Sequence, residues 1–201
     1  MALLVRTIIV PALFTIMMTA SFAQAADVLP TITVGTQEVG LTAGYLFSNR
    51  LTHLHRTKQQ GPALMPSWMM TITDPIGDGW YRGQVSLGAE MVYIEFEKPF
   101  LTHGVGFTPR IKYTFVALGR IRPYLEFAGG PFWTDLGGRI HEEANQFNFV
   151  LTGGAGVSWF LTPQLAFNAG YRFNHISNAG TAYPNLGLNA NLPFAGFSFY
   201  F

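Results

Sequence analysis

From Glu38 onward the chain runs in segments of about ten residues, in which apolar side chains alternate with polar or small ones between clusters of turn formers. Period-two alternation sends successive side chains to opposite faces of a strand. About ten residues is also the length with which a tilted strand crosses a bilayer. The segments are 38–47, 63–73, 81–96, 104–118, 121–133, 147–161, 164–174 and 188–201. Eight such segments predict an all-β fold, a transmembrane antiparallel β-barrel of about eight strands, the smallest common closed form.

The connections differ in length. Gly119-Arg120 and Thr162-Pro163 are tight, whereas 48–61, 135–146 and 178–187 are long. Barrels of this kind gather short turns at one rim and long loops at the other, outer rim, which places residue 175 at the outer end. Asp74 to Asp78 carries a fragment of a calcium-loop pattern, but Gly77, Gly79 and the flanking strands favour a hairpin turn. His141-Glu142-Glu143 reads as part of a solvated loop. Trp68, Trp80, Trp133 and Trp159 fall near segment ends, where interfacial aromatics belong. Phe197, Phe199 and Phe201 share one face of the last segment, an alternation that resembles the signal read by the outer-membrane assembly machinery; an ordinary lipid-facing strand has the same pattern.

Composition supports a lipid setting. The chain is 49% hydrophobic and 11% charged, where soluble domains carry about 25% charge. A barrel turns its apolar residues outward and needs no large core. Cysteine is absent, and a closed barrel, with every strand paired, does without disulfides. Residues 1–25 read as a signal peptide, with Arg6 before an apolar run and cleavage near Ala25 or Ala26, leaving a single domain over 26–201. A net charge of +1 without a basic cluster implies no nucleic-acid partner. Arg110, Lys112, Arg120 and Arg122 either charge the lumen or meet lipid phosphates. His53 and His55 are spaced as a metal pair but lack a third ligand, so no metal or cofactor is implied.

The segment with chemistry is Phe173-Asn174-His175-Ile176-Ser177-Asn178-Ala179-Gly180, followed by Pro184-Asn185. His175 and Ser177 are two apart and share a strand face, the minimum apparatus of a base-activated serine. Leu165, Phe167, Ala169, Tyr171 and Phe173 precede them on that face. The stripe is otherwise apolar, so the pair is expected to look outward onto lipid. As interfacial polar residues and turn formers, the same residues have a reading without chemistry.

The stretch His175 to Asn189, HISNAGTAYPNLGLN, together with the signal peptide and the eight-strand pattern, resembles the lipid A 3-O-deacylase family (PagL), outer-membrane esterases of lipopolysaccharide. The resemblance implies that Ser177 is the nucleophile and His175 the base, with lipid A as substrate in the outer membrane. It further implies oxyanion donors from the main chain near Ala179 and Gly180 and from the Asn185 side chain. Asn189 stands where the family usually has an acid that orients the histidine. An amide can hold an imidazole in one tautomer but offers no charge to an imidazolium. A carboxylate from another strand, such as Glu90, Glu95 or Glu126, is the alternative source of that charge. The competing function is a non-catalytic structural or adhesive barrel.

Overall fold

The computed structural model describes residues 29–49 and 56–201; the signal-peptide segment and His53 and His55 lie outside them. Eight strands follow one another: β1 (Gln37–Ser48), β2 (Gln60–Thr71), β3 (Gly83–Phe96), β4 (Thr102–Phe115), β5 (Ile121–Thr134), β6 (Phe147–Phe160), β7 (Leu165–Ser177) and β8 (Leu188–Tyr200). Each pairs antiparallel with its sequence neighbour, and β1 pairs with β8 to close the barrel. Gln37 and Phe201 exchange backbone hydrogen bonds of 2.9 and 3.0 Å, so the last residue is tied into the seam. Closure satisfies the backbone where no water can, which is what a membrane demands of a sheet.

Side chains alternate without a slip. Val39, Leu41, Leu64, Met91, Phe107, Leu125, Phe127, Leu151 and Phe199 are exposed on the outside, an apolar belt suited to lipid. Trp133 lies at one end of the belt and Trp68 and Trp159 toward the other. The connections 49–59, 97–101, 135–146 and 178–187 share one rim; the chain ends and the connections 72–82, 116–120 and 161–164 share the opposite one. The 72–82 connection is longer than the expected hairpin: Gly79–Tyr81 forms a 3-10 turn, and β3 begins at Gly83, where an isolated bridge to Ile76 closes the connection.

The lumen is packed in layers. Under the long-loop rim, Leu46, Met65, Ile94, Phe96, Phe132, Ile176, Leu188 and Leu192 form an apolar plug. Below it, Arg172 donates to Glu90 at 2.7 Å and to Glu126 at 2.6 Å, while Arg110 reaches both carboxylates and Lys112 pairs with Glu38. A hydrogen-bonded layer follows, in which Asn168 links Ser158 and Ser198, and Phe160, Ala166 and Tyr200 close the terminal end. Arg110 and Lys112 therefore charge the lumen, and buried Arg122 donates to the Pro30 and Gly119 carbonyls. At this strand number side chains fill the interior, so the barrel is no general diffusion pore.

Arg172, like Arg110, is shared by Glu90 and Glu126. Removing one partner of a buried ion cluster costs about 3–5 kcal/mol, because charge is left uncompensated. Arg172→Leu should lower the unfolding free energy by about that amount, read from urea unfolding in lipid vesicles. A change below about 1 kcal/mol would mean that Arg110 alone sustains both carboxylates.

Candidate active site

β7 runs three residues beyond the expected end at Asn174, so His175 and Ser177 are ladder residues and not part of a loop. Ser177 stands opposite Phe149 of β6, and His175 stands between Leu151 of β6 and Asn189 of β8. Even-numbered Asn174 and Ile176 are buried in the lumen, while His175 and Ser177 are partly exposed on the outer face. Ile176, Leu188 and Val150 of the plug back the site from inside. The strand thus fixes on which side the two side chains emerge.

His175 Nδ1 and Asn189 Oδ1 are 2.7 Å apart. The amide oxygen can only accept, so Nδ1 carries the proton and the lone pair lies on Nε2, the tautomer a general base needs. Gly187 holds the ring from its other side. Its φ is +73°, and a Cβ there would sit 2.5 Å from His175 Cε1, so glycine is required for both backbone and space. Ser177 Oγ makes no hydrogen bond among the described residues. It is free to receive a substrate.

The connection after Ser177 is organised by Asn178, which is fully buried. Its Oδ1 accepts from the Gly180 N–H at 2.9 Å, and its Nδ2 donates to the Ala182 and Pro184 carbonyls at 3.1 and 3.3 Å. Its own N–H donates to Asn185 Oδ1 at 3.0 Å. These bonds pin Ala179 in the left-handed region at φ 54°. The Gly180 N–H, expected among the oxyanion donors, is engaged by Asn178. The Ala179 N–H and Asn185 Nδ2 make no hydrogen bond among the described residues.

The 135–146 loop packs on this connection. Leu186 N–H donates to the Glu142 carbonyl at 2.9 Å, Ala144 N–H to that of Pro184 at 3.1 Å, and Glu143 bridges to Asn185. Glu142 and Glu143, expected in a solvated loop, are instead buried. Glu142 accepts from the Arg56 and Thr57 amides at 2.7 Å each and from the Thr57 hydroxyl at 2.5 Å. Burial alone would raise its pKa; those donors outweigh it and hold the carboxyl below the usual range. The carboxylates expected as alternatives do not reach His175. Glu90 and Glu126 belong to the luminal network, and Glu95 is exposed on β3, which does not pair with β7. Among the described residues no group of three or more His, Cys, Asp or Glu is placed to hold a metal ion.

The tautomer can be read directly. Ring ¹⁵N shifts of His175 should show a protonated Nδ1 in the native protein and a mixture of tautomers in Asn189→Leu. A mixture in both would remove Asn189 from its orienting role.

The comparisons with known proteins agree with the closed barrel. The crystal structure of the outer membrane enzyme PagL matches with a TM-score of 0.58 at 19% identity, covering 79% of this chain and 98% of that one. The crystal structure of the Neisserial surface protein A (NspA) matches with a TM-score of 0.56 at 19% identity, covering 83% and 99%. At these identities the likeness shows the fold, a closed outer-membrane barrel. No curated protein sequence matches. The model of the family "Lipid A 3-O-deacylase (PagL)" matches residues 40–197, which include His175, Ser177 and Asn189. The chain therefore belongs to the PagL family of lipid A deacylases, hydrolases built on an outer-membrane β-barrel.

Proposed function

We propose that the protein hydrolyses the 3-O-linked acyl ester of lipid A by a serine–histidine mechanism. The observation that carries this reading is the pairing of His175 Nδ1 with Asn189 Oδ1, which leaves Nε2 basic on the same outer strand face as Ser177, whose hydroxyl makes no hydrogen bond among the described residues. Ser177 Oγ attacks the ester carbonyl as His175 Nε2 takes its proton, giving a tetrahedral intermediate. The imidazolium then protonates the leaving sugar alkoxide, and the acyl-serine is hydrolysed by a water that His175 deprotonates in turn. No metal or cofactor is needed, since the side chains supply nucleophile and base.

The oxyanion donors are the Ala179 N–H and Asn185 Nδ2, the two without a hydrogen-bond partner among the described residues. Fixed donors in a dry site stabilise the developing charge, and losing one typically costs about a hundred- to a thousandfold in rate. Gly180 acts through the turn in which Asn178 holds it. The leader is removed on export, and Phe201, at the seam, is presented to the assembly machinery during insertion.

Lipid A from cells making the native protein should be lighter by one hydroxyacyl chain, while lipid A from cells making Ser177→Ala should keep its full mass. Equal masses with both barrels folded would leave the competing reading, a structural or adhesive barrel, in possession. Asn189→Glu should raise kcat severalfold if the missing charge limits proton transfer. The acid-to-amide change costs about ten-thousandfold where a site evolved around the acid, so a small gain means that this site has adapted to the amide.

A further inference from the structure

Glu143 has no role in the proposed mechanism, yet it is buried where the 135–146 loop meets the connection after Ser177. It is 1% exposed, and among the described residues neither oxygen has a partner in hydrogen-bond geometry. A buried carboxylate without a partner is costly and calls for an explanation. Its surroundings provide one. The Glu143 backbone bridges to Asn185, and the backbone amides of Asn178 and Gly187 are near enough to pull on its charge. Asn178 follows the nucleophile, and Gly187 is the residue against which the His175 ring rests.

We propose that Glu143 is a positioning residue of the catalytic pair: from behind Gly187 its carboxylate supplies the negative charge toward His175 that Asn189 lacks, and it draws the Gly187 amide into place. This rests on the esterase reading and deepens it. The charge acts through Gly187, without touching substrate, and favours the imidazolium that forms when His175 takes the serine proton.

The surroundings make this charge conditional on pH. Burial pushes the Glu143 carboxyl up to about 7, and Glu142 adds repulsion, against the pull of the Gly187 and Asn178 amides. On its own loop the other charged neighbours are engaged elsewhere: Glu142 with Arg56 and Thr57, and Arg139 over the Phe100 ring at 3.9 Å. The 178–187 connection brings one ionisable side chain, Tyr183, which is 92% exposed. From β7 the facing group is His175, across Gly187. No cation pairs with Glu143 among the described residues. Above pH 7 the carboxylate is present and the site is charged; below it the group is neutral and the charge is lost.

Glu143→Gln freezes the neutral state at nearly constant shape. With the variant barrel folded, shown by heat-modifiable migration, kcat at pH 8 should fall about tenfold, the effect of about one pKa unit of lost interaction, with KM within about twofold. The native kcat profile should fall with acid in two steps, one near pH 7, and the variant should lack that step. Glu143→Asp should keep the step at a displaced pH. An unchanged profile in Glu143→Gln, or a loss confined to KM or to the folded fraction, overturns the proposal. A second measurement needs no turnover. In Ser177→Ala, the His175 ring shifts should register a titration step near pH 7 that disappears in Ser177→Ala/Glu143→Gln. If that step persists, or never existed, Glu143 does not act on His175, whether or not the protein is an esterase; if it disappears while lipid A is untouched, the coupling stands and the esterase reading fails.

Discussion

Everything in this molecule depends on the closure of one hydrogen-bonded sheet in a medium that offers no replacement partners. A strand left unpaired in hydrocarbon would expose a row of N–H and C=O groups at several kcal/mol apiece. The β1–β8 ladder removes that cost and fixes the register around the ring. Register in turn fixes faces, because a slip of one residue would exchange lipid and lumen for a whole strand. His175 looks outward for the same reason that Arg172 looks inward.

The same constraint explains which parts were legible in the sequence. Lipid outside and a packed lumen inside impose a strict two-residue rhythm, so all eight strands and the outward face of β7 follow from alternation alone. The end of β7 did not. Asn174, Ser177 and Asn178 are turn formers by preference, yet here the ladder to Leu151 and Asn189 holds the strand through residue 177. Polar side chains on an inner barrel face cost little when they find partners, as Asn174 does with Thr152. The burial of Glu142 and Glu143 has no local signature at all. It arises where two loops some forty residues apart meet edge to edge, and a pair of adjacent carboxylates reads as solvated until that meeting is known. The diversion of the Gly180 amide to Asn178 is equally invisible, being a matter of one side-chain rotamer.

The site shows how a polar apparatus survives at the edge of an apolar belt. A carboxylate at residue 189 would be buried against the His175 ring, on a strand whose neighbouring outward positions include Asn191 and Pro193. An amide there meets the imidazole with a neutral hydrogen bond and carries no charge to desolvate. The carboxylate that is present nearby, Glu143, sits behind the strand ends under a loop, shielded from the hydrocarbon. Under the proposal for Glu143, orientation and charge, joined in one side chain in an acid-based triad, are carried by two residues on different elements.

The packed lumen has a consequence for how such a protein meets its substrate. With the barrel's interior filled from the plug to the terminal layer, nothing passes along its axis, and the face that carries His175 and Ser177 opens sideways. On the proposed mechanism, encounter is therefore a search in two dimensions: a lipid drifts within its own leaflet until its ester lies against the outside of β7. The quantity that governs such an encounter is an area density, the mole fraction of the lipid among its neighbours. Diluting the leaflet with inert amphiphile slows the encounter even when the bulk amount of lipid is unchanged.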